Sequence, residues 1–132
     1  MITPSLNAGL EILQALAEYL DQGSANATFV FYDDAKPSST AVSADEGAKL
    51  VTLTLPKPCF KSLQADHIEL EPTDTATVIK SGTAVWARLY NGNNAVVADF
   101  AVGTDISLAN TALVLGGTLG ITSIKLSPPT GT

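Results

Sequence analysis

The first twenty residues carry apolar positions at helical spacing, and from about residue 27 onward the apolar positions alternate with polar ones. Leu6, Leu10, Leu13, Leu16 and Leu20 recur three or four residues apart, with Ile12 and Tyr19 flanking the stripe. This predicts a helix over 4–20, with Thr3 as N-cap and Pro4 in the first turn, where its missing N–H costs nothing. Gly23, after Asp21-Gln22, supplies the stop, because glycine enters the left-handed region without penalty. The leucine stripe packs on the chain's own core or docks on a partner, and the pattern leaves both open.

Beyond Gly23 the period changes to 2. Residues 27–32 (ATFVFY) and 49–55 (KLVTLTL) read as strands, and Pro56 and Pro58 stop the second, since proline donates no N–H to a ladder. Between them, 33–47 is a polar loop of about fifteen residues, long enough to suggest function or mobility. Residues 66–70 form a shorter strand, and 74–79 a bridging strand or loop. Residues 83–90 (TAVWARLY) alternate, with Ala84, Trp86, Arg88 and Tyr90 on one face and Val85, Ala87 and Leu89 on the other. Asn91-Gly92-Asn93-Asn94 is a turn signal, and 95–102 returns as the hairpin partner. Short strands at 106–108 and 112–115, a Gly116-Gly117 turn and a last strand at 119–126 complete the pattern. The expected fold is mainly β: an antiparallel β-sandwich or jelly roll of about eight or nine strands with one N-terminal helix. A single domain over 1–132 is expected, with the helix at 4–20, the sandwich at 27–126 and a flexible tail at 127–132.

Composition narrows the functional classes. Hydrophobic residues are 45% and charged residues 15%, which argues for a packed core and against disorder. The net charge is −6, and the seven basic residues are scattered without a stripe. Nucleic acid and anionic membrane are therefore not expected partners. The single cysteine, Cys59, rules out an intrachain disulfide and reads as a buried, inert thiol. The N-terminus lacks the basic region of a signal peptide, and no apolar run is long enough to span a membrane, so a soluble product made in the cytoplasm is expected.

The candidate chemistry is thin. His67 follows Asp66, but no spaced nucleophile or second ligand accompanies it, and it reads as a structural or surface residue. Asp33-Asp34 and Asp45-Glu46 lack the spacing of a calcium loop and read as solvated turn residues. Glu69 and Glu71 could act as a carboxylate pair or simply charge a strand edge. Gly116-Gly117-Thr118-Leu119-Gly120 lacks the lysine of a phosphate loop and reads as a turn. Trp86 and Tyr90 could stack on a sugar or pack across strands. No catalytic, cofactor-binding or metal-ligating residue is nominated, an enzyme is not expected, and no cofactor is implied.

Several segments taken in order resemble small structural proteins of tailed phages and prophages. They are the N-terminal helix, Phe31-Tyr32 leading to Pro37, and Leu53-Thr54-Leu55-Pro56-Lys57-Pro58-Cys59-Phe60. Then come Gly82-Thr83-Ala84-Val85-Trp86-Ala87-Arg88, Asp99-Phe100-Ala101-Val102-Gly103-Thr104, and Ile121-Thr122-Ser123. The chain departs from that pattern at Asp105-Ile106 and at Lys61–Gln64. The resemblance implies a jelly-roll capsid decoration (cement) protein that binds the phage major capsid protein and stabilises the shell. It further implies a homo-oligomer, dimer or trimer, at symmetric positions on the capsid surface. Candidate contact residues are Leu6, Leu10 and Leu13 of the helix, Asp33, Asp34, Lys36, Pro37, Asp45 and Glu46 of the long loop, and the C-terminal tail. The competing expectation is a tail or baseplate β-domain that binds host carbohydrate through Trp86, Tyr90 or Tyr32. Burial of those rings would argue against it.

Overall fold

A computed structural model describes residues 4–106, 108 and 110–128. It is mainly β, with one α-helix and several antiparallel sheets built from eleven short strands. Helix α1 spans Leu6–Leu20 and begins two residues later than the sequence predicts. Ser5 is the N-cap, its Oγ accepting from the Ala8 N–H at 3.2 Å, and Pro4 precedes the cap. Thr3 lies outside the described residues. Gly23 follows with φ +102°, and a side chain there would meet the backbone of Gly92 and Asn93.

The largest sheet has four strands in the order β2-β1-β7-β8. Here β1 is Thr28–Tyr32, β2 is Lys49–Thr54, β7 is Trp86–Tyr90 and β8 is Val96–Ala101. A three-stranded sheet runs β11-β4-β3, from Ile124–Leu126, Ile68–Leu70 and Phe60–Leu63. Two small ladders pair β5 (Ala76–Thr77) with β10 (Thr118–Leu119), and β6 (Gly82–Thr83) with β9 (Ala112–Leu113).

The strand count exceeds the expected eight or nine because two predicted strands change sheets partway. Residues 83–90 divide into β6 and β7. At the switch, Ala84 N–H bonds the Thr111 carbonyl, while Val85 N–H bonds the Tyr32 carbonyl. Residues 119–126 divide into β10 and β11, with Ile121 exchanging hydrogen bonds with Thr73 between them. Ile106 forms only an isolated bridge to Val102. Of the predicted tail, Pro128 packs against Gly9 of the helix, and 129–132 lie outside the described residues.

The hairpin β7–β8 forms as its turn signal predicts. Asn91 accepts from the N–H groups of Asn93 and Ala95, and Asn94 takes φ +63°. One core joins the helix to the sheets. Leu10, Leu13, Ala17 and Leu20 share one cluster with Phe29, Phe31, Leu53, Ile68, Leu70, Leu89 and Ile124. From Leu10 onward the leucine stripe therefore faces the chain's own core, while Leu6 is exposed.

Candidate functional site

The outer face of the four-stranded sheet carries a connected set of polar side chains. Register explains its composition. Tyr32 stands opposite Trp86 on β1–β7, and Arg88 stands opposite Asp99 on β7–β8. Alternation sends Phe29, Phe31, Ala87 and Leu89 to the inner core, and Tyr32, Trp86 and Arg88 to the other side.

That other side is not solvent. The 33–47 segment folds back over it and is held at several points. Arg88 makes a two-pronged pair with Asp99, Nε to Oδ1 at 2.6 Å and Nη2 to Oδ2 at 3.0 Å, and its Nη1 donates to the Val42 carbonyl at 2.7 Å. Trp86 Nε1 donates to Asp34 Oδ1 at 2.7 Å. Lys80 Nζ clips both ends of the loop, donating to Asp33 Oδ2 at 2.8 Å and to the Gly47 carbonyl at 3.1 Å. Ala44 and Ala48 fill the space over Val30, Tyr32 and Trp86. Tyr32 stacks on Trp86 with ring centroids 4.5 Å apart, and the Arg88 guanidinium lies 5.2 Å from the Trp86 ring centre.

Charge and burial shape the chemistry of this layer. The bonds from Asp99 raise the Arg88 pKa above its ordinary value, so the guanidinium stays charged while buried. Burial, followed by the hydrogen bond with Tyr90, raises the Tyr32 phenol pKa well above its ordinary value. The two hydroxyls lie 3.2 Å apart. Beside them is a cleft of about 260 Å³ lined by Tyr32, Tyr90, Glu46, Lys49, Thr52 and Asn94. The Tyr32 phenol therefore remains protonated at neutral pH and cannot serve as a base there.

The acidic loop residues that the sequence marks as contacts all bond to partners on the same chain, Asp33 and Asp34 half-buried, Asp45 and Glu46 exposed. Asp33 pairs with Lys80 and Asp34 holds Trp86. Asp45 accepts from Gly47 N–H and caps a 3-10 turn at Glu46–Ala48, and Glu46 pairs with Lys49 at 2.6 Å. Lys36 is exposed, Pro37 is half-buried, and the stretch 38–43 is exposed. On the helix, Leu6 is exposed, while Leu10 and Leu13 are buried in the chain's core.

The remaining sequence candidates are dispersed. His67 Nδ1 lies 2.7 Å from Asp66 Oδ1 on a turn, and that bond holds the Asp66 carboxyl below its usual range. Glu69 sits on the central strand of its sheet rather than at an edge, 3.4 Å from Lys61. Cys59 is buried, its thiol donating to the Ala17 carbonyl at 3.5 Å. Burial and the neighbouring Asp21 push its pKa up to about 12. Gly116-Gly117 forms the expected turn, with Gly117 N–H bonded to the Val114 carbonyl at 2.8 Å. Among the described residues, no group of three or more His, Cys, Asp or Glu side chains gathers to hold a metal ion.

Two features escaped the sequence reading. Asp99, the partner of Arg88, belongs to the site. An apolar corner also stands exposed, with Ile79 at 59%, Val114 at 66% and Leu115 at 63% of their full accessibility. Backbone bonds between Val78 and Gly116–Gly117, and from Leu115 N–H to Ser81 Oγ, bring these segments together. The signal for the corner was Val114-Leu115 directly before Gly116-Gly117, since tight turns ordinarily carry polar neighbours.

No protein-family model, curated protein or solved structure matches this chain.

Proposed function

We propose that this chain is a structural protein of a tailed-phage particle, a decoration protein of sandwich or jelly-roll kind that binds the major capsid protein on the outside of the head. The phage assignment rests on the ordered residue pattern from Phe31-Tyr32 to Ile121-Thr122-Ser123. The role rests on the surface. The observation that carries it is the exposed corner of Ile79, Val114 and Leu115 on a body whose buried polar side chains all find partners among the described residues. Solvent-exposed apolar clusters on soluble proteins mark places where another protein sits. The crest of the clasped loop, Lys36 to Ser43, offers a second contact of fixed shape.

A decoration protein binds only the assembled shell, so each bound copy shifts the assembly equilibrium toward the shell. Such a role calls for rigidity and contact area rather than reactive groups. The carbohydrate reading is less well supported, because Trp86 and Tyr32 are buried against each other and only Tyr90 is partly open.

Co-sedimentation with decoration-free capsids and with purified tails tests the proposal. Saturable capsid binding at a copy number set by icosahedral symmetry is expected. The Val114→Glu/Leu115→Glu variant should lose that binding while keeping its circular dichroism and unfolding midpoint. Binding to tails or to envelope glycan, with none to capsids, overturns the reading.

A further inference from the structure

The two larger sheets each end in an edge strand beside the same cleft. β8 closes one side of the four-stranded sheet, and β11 closes one side of the three-stranded sheet. The cleft between them measures about 420 Å³. It is lined by Asp99 and Phe100 of β8, Lys125 and Leu126 of β11, and Leu13 and Leu16 of helix α1.

Backbone alternation fixes which main-chain groups face this cleft. Val102 N–H bonds the Val85 carbonyl, so Phe100 turns its N–H and C=O to β7 and Asp99 turns its own away. The outward groups of Ala101, two residues on, are closed by the chain itself. Its N–H donates to Asp105 Oδ2, and its carbonyl accepts from Asp105 and Ile106. On β4, the His67 carbonyl accepts from Gln64 and the Glu71 N–H donates to Cys59, so Glu69 also faces β3 while Ile68 and Leu70 face β11. Lys125, opposite Glu69, therefore turns its N–H and C=O away from β4. Among the described residues, no backbone bond reaches these outward groups of Asp99 and Lys125. Sheet edges are ordinarily covered, charged or broken by proline. The opposite edge of the larger sheet is covered, since Asp74 and Ile79 donate to the Thr54 and Leu50 carbonyls of β2. β8 carries neither lysine nor proline, and its one charge, Asp99, is tied to Arg88.

We propose that this cleft takes an extended segment of another polypeptide, which pairs with β8 on one side and β11 on the other and joins the two sheets. A peptide backbone is the chemistry that offers donors and acceptors to both edges at once. The apolar lining of Leu13, Leu16, Phe100 and Leu126 selects a segment with apolar side chains at alternate positions, facing inward. The exposed stretch 38–43 of this chain is Ser-Ser-Thr-Ala-Val-Ser and does not fit that pattern. Nor does the C-terminal stretch, where Pro128 and Pro129 cannot donate and Thr130-Gly131-Thr132 has no large apolar side chain. The occupant is therefore a different protein. This inference rests on the two edges and stands independently of the phage reading.

Titration of the isotope-labelled full chain with a capped peptide, Thr-Val-Thr-Val-Thr-Val-Thr, tests it by nuclear magnetic resonance. Binding at about 0.1–1 mM is expected, with the Asp99 and Lys125 amides shifting together and gaining protection from solvent exchange. Proline in place of the central valine removes a donor and should weaken binding by at least about tenfold. Lys125→Pro deletes an N–H that β4 does not use, so it should keep the unfolding midpoint and weaken binding similarly. Should that variant fail to fold, the proline peptide carries the same test on the natural chain. No shift at either amide up to about 5 mM peptide overturns the proposal. Shifts at one edge alone, or binding indifferent to proline, overturn it as well. Protection of both amides at rising protein concentration without peptide would seat a second copy in the cleft and overturn the assignment to another polypeptide.

Discussion

The two faces of the four-stranded sheet are built on opposite principles. The inner face is hydrocarbon, with Phe29, Phe31, Leu53 and Leu89 in one core cluster with the helix leucines. The centre of the outer face is as deeply buried but holds Tyr32, Trp86 and an ion pair, and its cover is an irregular loop. Apolar packing tolerates small shifts, because dispersion and the hydrophobic effect are non-directional. The outer layer depends on directed bonds, each costly to leave unmade. The same sheet is thus held by bulk on one side and by geometry on the other, and the long loop belongs to the second category.

Substitutions separate the two. Phe29→Ala on the inner face should cost about 3–5 kcal/mol in chemical denaturation, through lost burial and a residual cavity. Asp99→Ala should cost about 3 kcal/mol or more, since it strands the buried Arg88 charge. The double variant Arg88→Met/Asp99→Leu sharpens the contrast: it should recover most of that loss, because the cost lies in an unpaired charge rather than in the absence of a pair. A double variant as unstable as Asp99→Ala would show that the pair itself holds the loop. Asp34→Ala leaves the buried indole N–H without its acceptor and should cost about 1–3 kcal/mol. Lys80→Ala removes a partly exposed clip and should change global stability by less than about 1 kcal/mol. It should nevertheless speed proteolytic cleavage within 36–43, read by mass spectrometry.

Alkaline pH probes both sides of the sheet. Folding raises the pKa of the Cys59 thiol, in the inner core, and of the Tyr32 phenol, in the outer layer. For such groups the unfolded chain loses its proton first. Their contribution to stability is complete below the unfolded value, near 9.0 for the thiol, and declines as pH rises toward the folded value of about 12. The denaturation midpoint should therefore fall above pH 9, and Cys59→Ala should flatten the first part of the fall.

Much of this arrangement was legible in the residues, and what escaped did so for physical reasons. The helix and the Asn91–Asn94 hairpin follow from local signals, period and turn chemistry, and both formed. The division of 83–90 and 119–126 between sheets depends on distant partners, Thr111 and Thr73, which periodicity does not register. The 33–47 loop was visible as a polar stretch, but not its inward turn. Asp33 and Asp34 acquire their roles only when β1, β7 and Lys80 converge. Within the helix, the leucine stripe drew attention as a possible contact, whereas most of it is buried and Ile12 and Tyr19, which flank it, are exposed. The Arg88–Asp99 pair was within reach, as opposite charges in an otherwise apolar hairpin, once the register from the turn was followed.

The chain contains a single tryptophan, so Trp86 fluorescence reports on the outer layer alone. Acrylamide quenching of that emission tests most directly whether the 33–47 segment is a fixed cover. A sealed layer predicts blue-shifted emission and very little quenching until the chain unfolds, with accessibility increasing in Lys80→Ala. Quenching of the native protein close to that of free indole would contradict the account, placing the loop in solvent and leaving the sheet's outer face open.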